Sequence, residues 1–400
     1  MPTLSNPTDA SSVQALEELN SMNMTNLSTD MIEGVLELGA GGGGFLRNIT
    51  RGLKPAAGDA QVGSALIARH RLRSGAWVAG RLEPRRGPVA RLAEIVEIER
   101  RPVAELDVAR GFDDLTPIDP FRPIRLETGA EPIGPRLIDL FTPVGKGQRG
   151  LIVAPPRSGK TILLQQIADA VVANHPEIEL IVLLIDERPE EVSEFRRTIK
   201  GGDVLASSLD HSTEEHVRLA ELAIERGKRI AESGGDVLIL LDSLTRLARA
   251  YNKHSSTGRT MSGGVDIRAL DVPKRLFGAA RAFEEGGSLT VLASVLIETG
   301  SRMDDVIFQE FKGTGNMELI LDRKLAERRV WPAIDIQQSG TRKEERLLDP
   351  KSLASMTSLR RGLSALKPDE AMESLVERLP KYPTNATFLD KIGDVLAKTR

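Results

Sequence analysis

The chain has 400 residues, of which 40% are hydrophobic and 28% are charged, and its formal net charge is −3 at pH 7. This length predicts two or three domains, and the composition is typical of a globular protein. The absence of cysteine excludes disulfides, thiolate metal sites and cysteine nucleophiles. No apolar run approaches the ~18 to 20 residues that span a bilayer, and the N-terminus lacks a secretory pattern. We therefore expect a cytoplasmic enzyme.

The N-terminal quarter predicts an arm, a small barrel and a linker. Residues 1–28 are rich in Ser, Thr, Asn and Met, which predicts a largely disordered arm. Short β-prone segments separated by Gly and Pro then predict a closed barrel over residues 29–103, from the segments 34–38, 77–83 and 90–99. Five prolines between residues 101 and 134 predict extended backbone, and we assign residues 104–134 to a linker.

The barrel region is locally basic although the whole chain is not. Between Met31 and Arg101 the sequence has twelve basic and seven acidic residues. Such an excess suits a polyanionic ligand. A solvated, arginine-rich surface without a ligand would have the same composition, so charge alone leaves both interpretations open.

From residue 135 to the C-terminus the pattern becomes α/β. Apolar runs typical of buried strands occupy residues 150–154, 180–185, 237–241 and 289–297. Helical patterns lie between some of them, at residues 161–175 and 213–233. This alternation predicts a parallel sheet with helices on both faces.

The strongest local motif is APPRSGKT, Ala154–Thr161, which follows a strand-like run and opens a helical pattern. This is the context of a phosphate-binding loop, in which backbone N–H groups at a helix start hold the β-phosphate. Gly159 allows close backbone approach, Lys160 supplies a cation, and the Thr161 hydroxyl can ligate Mg²⁺. Ala154 replaces the usual first glycine, and an incidental strand–turn–helix junction is the alternative.

Two other strand ends carry carboxylates. Asp242 follows five apolar residues, and Asp186 and Glu187 follow another apolar run. Because ligands gather at the carboxyl ends of parallel strands, we expect these groups to face the same crevice as the phosphate loop. Asp242 then supports the metal, and Glu187 is the candidate that polarises the attacking water. The alternatives are that Asp186 caps a helix and that Glu187 pairs with Arg188.

The C-terminal part supplies arginines and an aromatic residue. Arg329 and Arg342 are available to stabilise charge on a transferred phosphoryl group, which a second subunit often does; either could instead be a surface residue. Trp331 could be a platform for adenine or an ordinary core or interface aromatic.

Taken together, these segments resemble the motor domain of the Rho family of bacterial transcription termination factors. The resemblance runs from about residue 136 to about residue 391, and it rests on segments 145–161, 183–195, 240–252, 263–270, 273–290, 309–319 and 332–345. It implies a RecA-type ATPase domain preceded by an OB/cold-shock-like RNA-binding barrel. It also implies an RNA-dependent ATPase and helicase that uses ATP and Mg²⁺. The implied partners are single-stranded RNA, five further copies in a homohexamer and, transiently, the RNA polymerase elongation complex, with no membrane.

The resemblance implies a role for each matching residue. At the nucleotide it implies Arg157, Ser158, Gly159, Lys160, Thr161, Arg188 and Trp331, with Thr161 and Asp242 at Mg²⁺. For hydrolysis it implies Lys160, Glu187 and Asp242, with Arg329 and Arg342 acting from the neighbouring subunit. For RNA it implies Phe45 and Arg47 in the barrel, Ser262, Gly263 and Gly264 in a channel loop at 258–266, and Lys312, Gly313, Thr314 and Gly315 in a second loop.

The sequence departs from the family in the barrel. Gly43 and Gln61 stand where the family has aromatics that stack on bases, and each lost stacking partner removes about 1 to 3 kcal/mol. Phe45 and Arg47 remain. We therefore expect RNA loading that is weaker, more salt-dependent and less selective for pyrimidines. Residues 1–28 also poorly match the helical domain that precedes the barrel in the family.

Two other functions stay open at this point. One is a different hexameric motor of the ATP synthase class, such as a secretion ATPase, against which the Gly-rich loop segments argue. The other is a non-enzymatic RNA-binding paralogue that regulates transcription rather than unwinding RNA. Hydrolysis measured with and without RNA separates all three.

Overall fold

The computed structural model describes residues 31–84, 87–105, 110–254 and 259–391. The chain divides into two compact units, Met1–Asp107 and Val108–Arg400, each with its own hydrophobic core. The predicted arm at residues 1–28 and Gly258, the first residue of the predicted channel loop, lie outside the described residues.

The first unit is a six-stranded antiparallel sheet. Its strands are β1 (Met31–Leu38), β2 (Gly44–Arg47), β3 (Ala60–Val62), β4 (Trp77–Leu82), β5 (Leu92–Ile98) and β6 (Arg101–Pro102), in the order β3-β2-β1-β4-β5-β6. A bridge between Gln61 and Arg91 joins β3 to the start of β5. Helix α1 (Ser64–Arg69) lies between β3 and β4. Alternating apolar residues of these strands, such as Leu36, Leu46 and Val78, form the core, as expected for an OB-like barrel.

The second unit is built on a mostly parallel sheet, which confirms the predicted α/β class. Its strands are β7 (Pro117–Ile118), β8 (Pro123–Ile124), β9 (Val144–Gly145), β10 (Arg149–Ala154), β11 (Ile178–Glu187), β12 (Asp203–Ser208), β13 (Asp236–Asp242), β14 (Arg281–Phe283), β15 (Ser288–Leu296), β16 (Met317–Ile320) and β17 (Gly340–Thr341). The main order is β12-β11-β13-β15-β10-β16-β17, and all pairs but the last are parallel. The central strands are buried and mostly apolar, as expected where helices cover both faces of a parallel sheet.

Eleven further helices among the described residues complete this unit. They are α2 (Ile133–Phe141), α3 (Lys160–Asn174), α4 (Pro189–Thr198), α5 (Thr213–Glu232), α6 (Leu244–His254), α7 (Asp271–Gly278), α8 (Arg302–Lys312), α9 (Arg323–Glu327), α10 (Pro350–Leu363), α11 (Pro368–Arg378) and α12 (Asn385–Asp390). The three C-terminal helices contribute to the same core as the sheet. Buried Arg136 ties them to α2, because its guanidinium donates to Asn385 Oδ1 at 3.0 Å and to the Leu379 and Tyr382 carbonyls.

The described part of the segment assigned to a linker is packed against the second unit. Its backbone is extended where prolines predict it, but β7 pairs with β14 and β8 pairs with β9. Phe112, Leu115, Ile124 and Leu126 are buried. Residues 110–134 therefore form an edge of this unit rather than a tether, because the apolar residues between the prolines have a core to join. No described helix is long and apolar enough to cross a bilayer.

Candidate active site

The phosphate-loop motif forms the turn between β10 and α3. Arg157 and Gly159 have φ values of 66° and 81°, in the left-handed region. The Ser158 hydroxyl donates to the Pro155 carbonyl at 2.8 Å and closes the turn. Because α3 begins at Lys160, the backbone N–H groups of its first turn have no helical acceptor and are available to an anion.

Trp331 lies against the loop. A Cβ atom on Gly159 would stand 2.7 Å from Trp331 Cζ3, so only glycine fits beneath the indole. The indole is 39% exposed and borders a cavity of about 180 Å³, which Ile162, Gln166 and Pro332 also line. The structure thus brings the predicted aromatic platform and the phosphate loop together, and the cavity between them is mostly apolar in its lining.

Lys160 and Asp242 meet at the carboxyl edge of the sheet. Lys160 Nζ contacts both Asp242 carboxylate oxygens, at 2.5 and 2.6 Å. Asp242 Oδ1 also accepts the Ser294 hydroxyl at 2.6 Å, and both of these residues are buried. Ser294 comes from β15, which lies beside β13. The last residue of β13 is therefore held in one orientation by a cation and a hydroxyl.

A β-bulge presents Glu187 to the same cleft. Ile185 pairs with Ser207 and Glu187 pairs with Ser208, so Asp186 is the extra residue between them. Its φ is 57°, and this left-handed turn re-aims the next side chain, as bulges do. Glu187 is 3% exposed. Neither sequence alternative holds, since the N-cap of α4 is Arg188 rather than Asp186, and the ion-pair partners of Glu187 are Arg246 and Lys160.

The environment of Glu187 favours its protonated form. Burial and the neighbouring Asp242 carboxylate raise the pKa of Glu187 to about 7, against the opposing effect of Lys160 and Arg246. Arg246 Nε lies 3.3 Å from Glu187 Oε1, and Lys160 Nζ lies 3.8 Å from the same atom. Raised pKa values near neutrality are typical of general bases in clefts. The cleft itself has a volume of about 560 Å³, and Arg157, Lys160, Thr161, Glu187, Arg188 and Arg246 are among its lining residues.

Helix α6 links this cleft to the first predicted RNA loop through three residues one turn apart. Arg246 donates to the Asp186 carbonyl at 2.5 Å and contacts Glu187. Arg249 Nη2 donates to the buried carboxylate of Asp304 on α8 at 2.6 Å. Asn252 donates to the Gly264 carbonyl at 3.2 Å. The sequence patterns did not predict this face of α6. The only indication was that Arg246, Arg249 and Asn252 recur every three residues after Asp242.

The two predicted RNA loops lie at opposite ends of helix α8. Loop A, the described residues 259–266, packs on the start of α8, where a Cβ on Gly263 would approach the Arg302 carbonyl at 2.8 Å. Loop B, residues 312–316, follows the end of α8. Ser262, Gly264, Lys312 and Gly313 are exposed, Gly263 and Thr314 are half-buried, and Gly315 is buried.

Loop B is braced against the start of β10. Asn316 Oδ1 accepts from Gln148 Nε2 at 2.6 Å and from the Arg149 backbone N–H at 2.9 Å. The Arg149 side chain donates to the Thr314 carbonyl at 3.1 Å. The other end of β10 enters the phosphate loop, so one strand connects loop B to the nucleotide cleft.

The remaining predicted arginines divide into two groups. Arg157 and Arg188 are exposed and line the cleft. Arg329 and Arg342 are exposed but are not part of the cleft wall of their own chain. Arg342 borders a separate depression of about 280 Å³ beside loop B, and its backbone N–H donates to the Asn316 carbonyl at 2.8 Å.

In the first unit, Phe45 and Arg47 lie two residues apart on β2 and so share one face of the strand. Phe45 is half-buried and pairs with Gln61 across β2–β3, and the Arg47 guanidinium carbon lies 5.1 Å from the centroid of the Phe45 ring. Arg47 also pairs with Glu37, and with Asp59 at 2.6 Å. Its charge is therefore already balanced by two carboxylates, which the sequence did not suggest.

Comparison with known proteins gives consistent matches. The model of the ATP synthase alpha/beta family, nucleotide-binding domain, matches residues 134–341. Proteins named Transcription termination factor Rho from Streptomyces coelicolor, Aquifex aeolicus and Pseudomonas aeruginosa are 52%, 48% and 48% identical to the chain. These alignments cover 92%, 90% and 90% of the chain and 87%, 84% and 87% of the relatives.

Among solved structures, an ATPase from the type III secretion system of pathogenic bacteria superposes with a TM-score of 0.59 at 23% identity, covering 78% of this chain and 94% of that one. An ATP synthase subunit of Nanoarchaeum equitans gives a TM-score of 0.57 at 17% identity, and the superposition covers 72% of this chain and 79% of that one. At these identities the two likenesses show the fold alone.

Proposed function

Because the chain belongs to the Rho family of transcription termination factors, we propose that it pulls nascent single-stranded RNA through a homohexameric ring and hydrolyses ATP between subunits. The chain is an ATP-hydrolysing enzyme of this family. The hexamer, the RNA path, a transient encounter with the RNA polymerase elongation complex and a cytoplasmic location are parts of the proposal.

One observation carries the coupling of hydrolysis to RNA. Successive turns of α6 contact the catalytic carboxylate, helix α8 and loop A, through Arg246, Arg249 and Asn252. A helix of this length behaves as a rigid element, so a change at either end displaces the other. This connection supports a motor in which RNA at loop A alters the hydrolytic site.

The proposed chemistry uses the residues that line the cleft. On ATP binding, Lys160 exchanges Asp242 for oxygens of the β- and γ-phosphates. Glu187 accepts a proton from a water molecule as the water oxygen attacks the γ-phosphorus, and the bond from that phosphorus to the bridging oxygen breaks. Arg157 and Arg188 contact the phosphate chain, and the Trp331 ring stacks on the adenine. Arginine geometry suits phosphate oxygens because its donors form a planar fork.

The cleft also fits Mg²⁺. The Thr161 hydroxyl and the Asp242 carboxylate are oxygen donors beside the phosphate loop. The described residues contain no cluster of three metal-ligating side chains, and Mg²⁺ needs none when substrate phosphates and waters complete its shell. When bound, the ion would neutralise charge on the β- and γ-phosphates. Once Lys160 contacts the phosphates of ATP instead of Asp242, the Asp242 carboxylate would be free to support the ion.

The exposure of Arg329 and Arg342 supports hydrolysis at a subunit boundary. Neither is among the residues that line the cleft of its own chain, and we propose that a head-to-tail ring brings them to a neighbour's γ-phosphate. Loop A and loop B would then line the ring's centre. Their glycines allow close approach of a sugar-phosphate chain, and Lys312 supplies a counter-charge.

The test is phosphate release at saturating Mg-ATP, with and without poly(C), for wild type and two variants. Glu187→Gln should abolish turnover and retain ATP binding, because the amide cannot accept the proton. Lys312→Ala should keep basal hydrolysis and lose the RNA stimulation. Lys367→Ala, an equally exposed lysine on the distant N-cap of α11, is the matched control and should behave as wild type.

The alternative functions predict different outcomes. A secretion-type ATPase would hydrolyse ATP at the same rate with and without RNA. A regulatory RNA-binding paralogue would bind poly(C) and release no phosphate. A chain that stays monomeric with ATP and RNA present, while turning over at full rate, would refute hydrolysis between subunits.

A further inference from the structure

We propose that His216 is a positioning residue that holds the Asp186–Glu187 bulge in its hydrolytic conformation. The inference rests on the proposed role of Glu187 as general base. It concerns a residue that no motif singles out, on helix α5, whose contacts reach the end of β11.

The bulge has to be held from both sides. Asp186 occupies the left-handed region, which costs a non-glycine residue about 1 kcal/mol or more. Arg246 holds it from α6, donating to its backbone carbonyl at 2.5 Å and lying 3.4 Å from its Oδ2. On the opposite side His216 Nε2 lies 3.8 Å from Asp186 Oδ1. The Asp186 carboxylate is thus placed between a guanidinium and an imidazole.

The imidazole is itself fixed by a neighbouring strand. Ser207 Oγ lies 2.7 Å from His216 Nδ1, and both residues are buried. When the Ser207 hydroxyl donates to Nδ1, the neutral ring carries its proton on Nε2, which faces Asp186. Ser207 is also the partner of Ile185, the residue before the bulge. Ser207 therefore ties β12 to α5 and turns the Nε2–H dipole of the ring toward the Asp186 carboxylate, which lies 3.8 Å away and so beyond hydrogen-bond length.

This triplet is not a nucleophilic site. The Ser207 side chain is fully buried, so no substrate can reach its hydroxyl. Burial also lowers the pKa of His216, which favours the neutral ring, so the contact with Asp186 at 3.8 Å is the attraction of an N–H dipole for a carboxylate rather than an ion pair. A positioning function fits these facts, since residues behind a catalytic group commonly set its orientation.

The consequence for Glu187 follows from the sharing of Arg246. That guanidinium contacts both Asp186 and Glu187. With Asp186 no longer fixed, the bulge can relax and Arg246 can pair with Glu187 alone. A bidentate pair would stabilise the carboxylate and turn it from the attacking water. The phosphate loop does not contact His216, so ATP affinity should be unaffected.

Two substitutions separate positioning from packing. In His216→Gln the amide reaches the place of Nε2 and presents an N–H dipole to Asp186, as the ring does. In His216→Asn it reaches only the place of Nδ1. We expect His216→Asn to lower kcat about 10- to 100-fold with KM for ATP within about twofold of wild type, and His216→Gln to retain most of kcat. Tyr251→Phe, which removes a partly buried α5–α6 hydrogen bond to Glu221, is the control and should keep kcat.

The variants are assayed as full-length protein with Mg-ATP and poly(C), after thermal melts confirm folding. Equal kcat values for the Asn and Gln variants, or a change in KM alone, would overturn the proposal. If His216→Asn does not fold, Ser207→Ala tests the proposal instead. Removing the Ser207 hydroxyl frees the tautomer of His216 and should lower kcat severalfold. A wild-type kcat for Ser207→Ala would contradict the proposal. Glu187→Gln is assayed in the same experiment. If Glu187→Gln still hydrolyses ATP, the proposed function fails. If Glu187→Gln is inactive but His216→Asn has a wild-type kcat, only the role of His216 is refuted.

Discussion

Replacing Arg246 by Gln should move the pH dependence of ATP hydrolysis. Glu187 must be ionised to accept a proton, so the rate rises with pH through its pKa, which is about 7 in the intact site. Arg246 is one of the two cations that hold this pKa down, with Nε 3.3 Å from the carboxylate. Gln keeps an N–H donor near the place of Nε, the atom that contacts Glu187, but removes the charge.

The size of the effect can be worked from the contact distance. An opposite charge this close lowers a carboxyl pKa by about 1 to 3 pH units, and one unit corresponds to about 1.4 kcal/mol. Losing the Arg246 charge should therefore move the midpoint of the rate's pH dependence from about 7 to about 8 or higher. At pH 7 the ionised fraction of Glu187 would fall from about one half to about one tenth or less, and the rate would fall with it.

The assay is kcat/KM for ATP, with poly(C) saturating, between pH 6 and pH 9.5, because this ratio reports the pKa of the ATP-free site. The variant should regain much of its activity at the alkaline end, because the base is then ionised again. Arg249→Gln is the matched control, one turn along the same helix and paired with Asp304, and its midpoint should stay near that of wild type. A loss in Arg246→Gln that is uniform at every pH would refute the electrostatic reasoning.

Three further results are expected. Gly159→Ala should abolish ATP binding, measured by isothermal titration calorimetry, because the new methyl group meets the indole of Trp331 and φ is +81°; unchanged binding would contradict the steric argument. Arg136→Met should lower the free energy of unfolding by about 3 kcal/mol or more in denaturant titrations, since four acceptors of this buried guanidinium lose their donor. Gln61→Tyr, opposite Phe45, should tighten oligo(C) binding in filter assays by about 1 to 3 kcal/mol with the same slope against salt, because no phosphate contact changes; equal binding would show that stacking is not limiting in this barrel.

Much of the second unit could be predicted from the sequence because parallel strands are buried on both faces. Each of the four apolar runs lies in a strand, and Asp242 and Glu187 end neighbouring strands, β13 and β11. The edge at which they meet follows from the rule that ligands gather at the carboxyl ends of strands.

What could not be predicted are contacts between residues distant in sequence. No local sequence pattern predicts that Arg246 contacts Glu187 or that Ser294 contacts Asp242, because the two residues of each pair are 59 and 52 positions apart in the chain. The bulge at Asp186 is equally hidden, since no glycine marks its left-handed backbone. The apolar residues between the prolines at 110–134 indicated that this segment packs on a core. The number of prolines favoured a linker instead, and that prediction was wrong.

The connection of loop B to the phosphate loop through β10 constrains the chain in a further way. This strand is hydrogen-bonded on both sides, to β15 and β16, and can neither stretch nor buckle. An inserted or deleted residue would shift one end by about 3.3 Å and reverse every side chain beyond it. Exchanges of one apolar residue for another should cost far less. Homologous chains should therefore vary freely in the composition of this hexapeptide and hardly at all in its length.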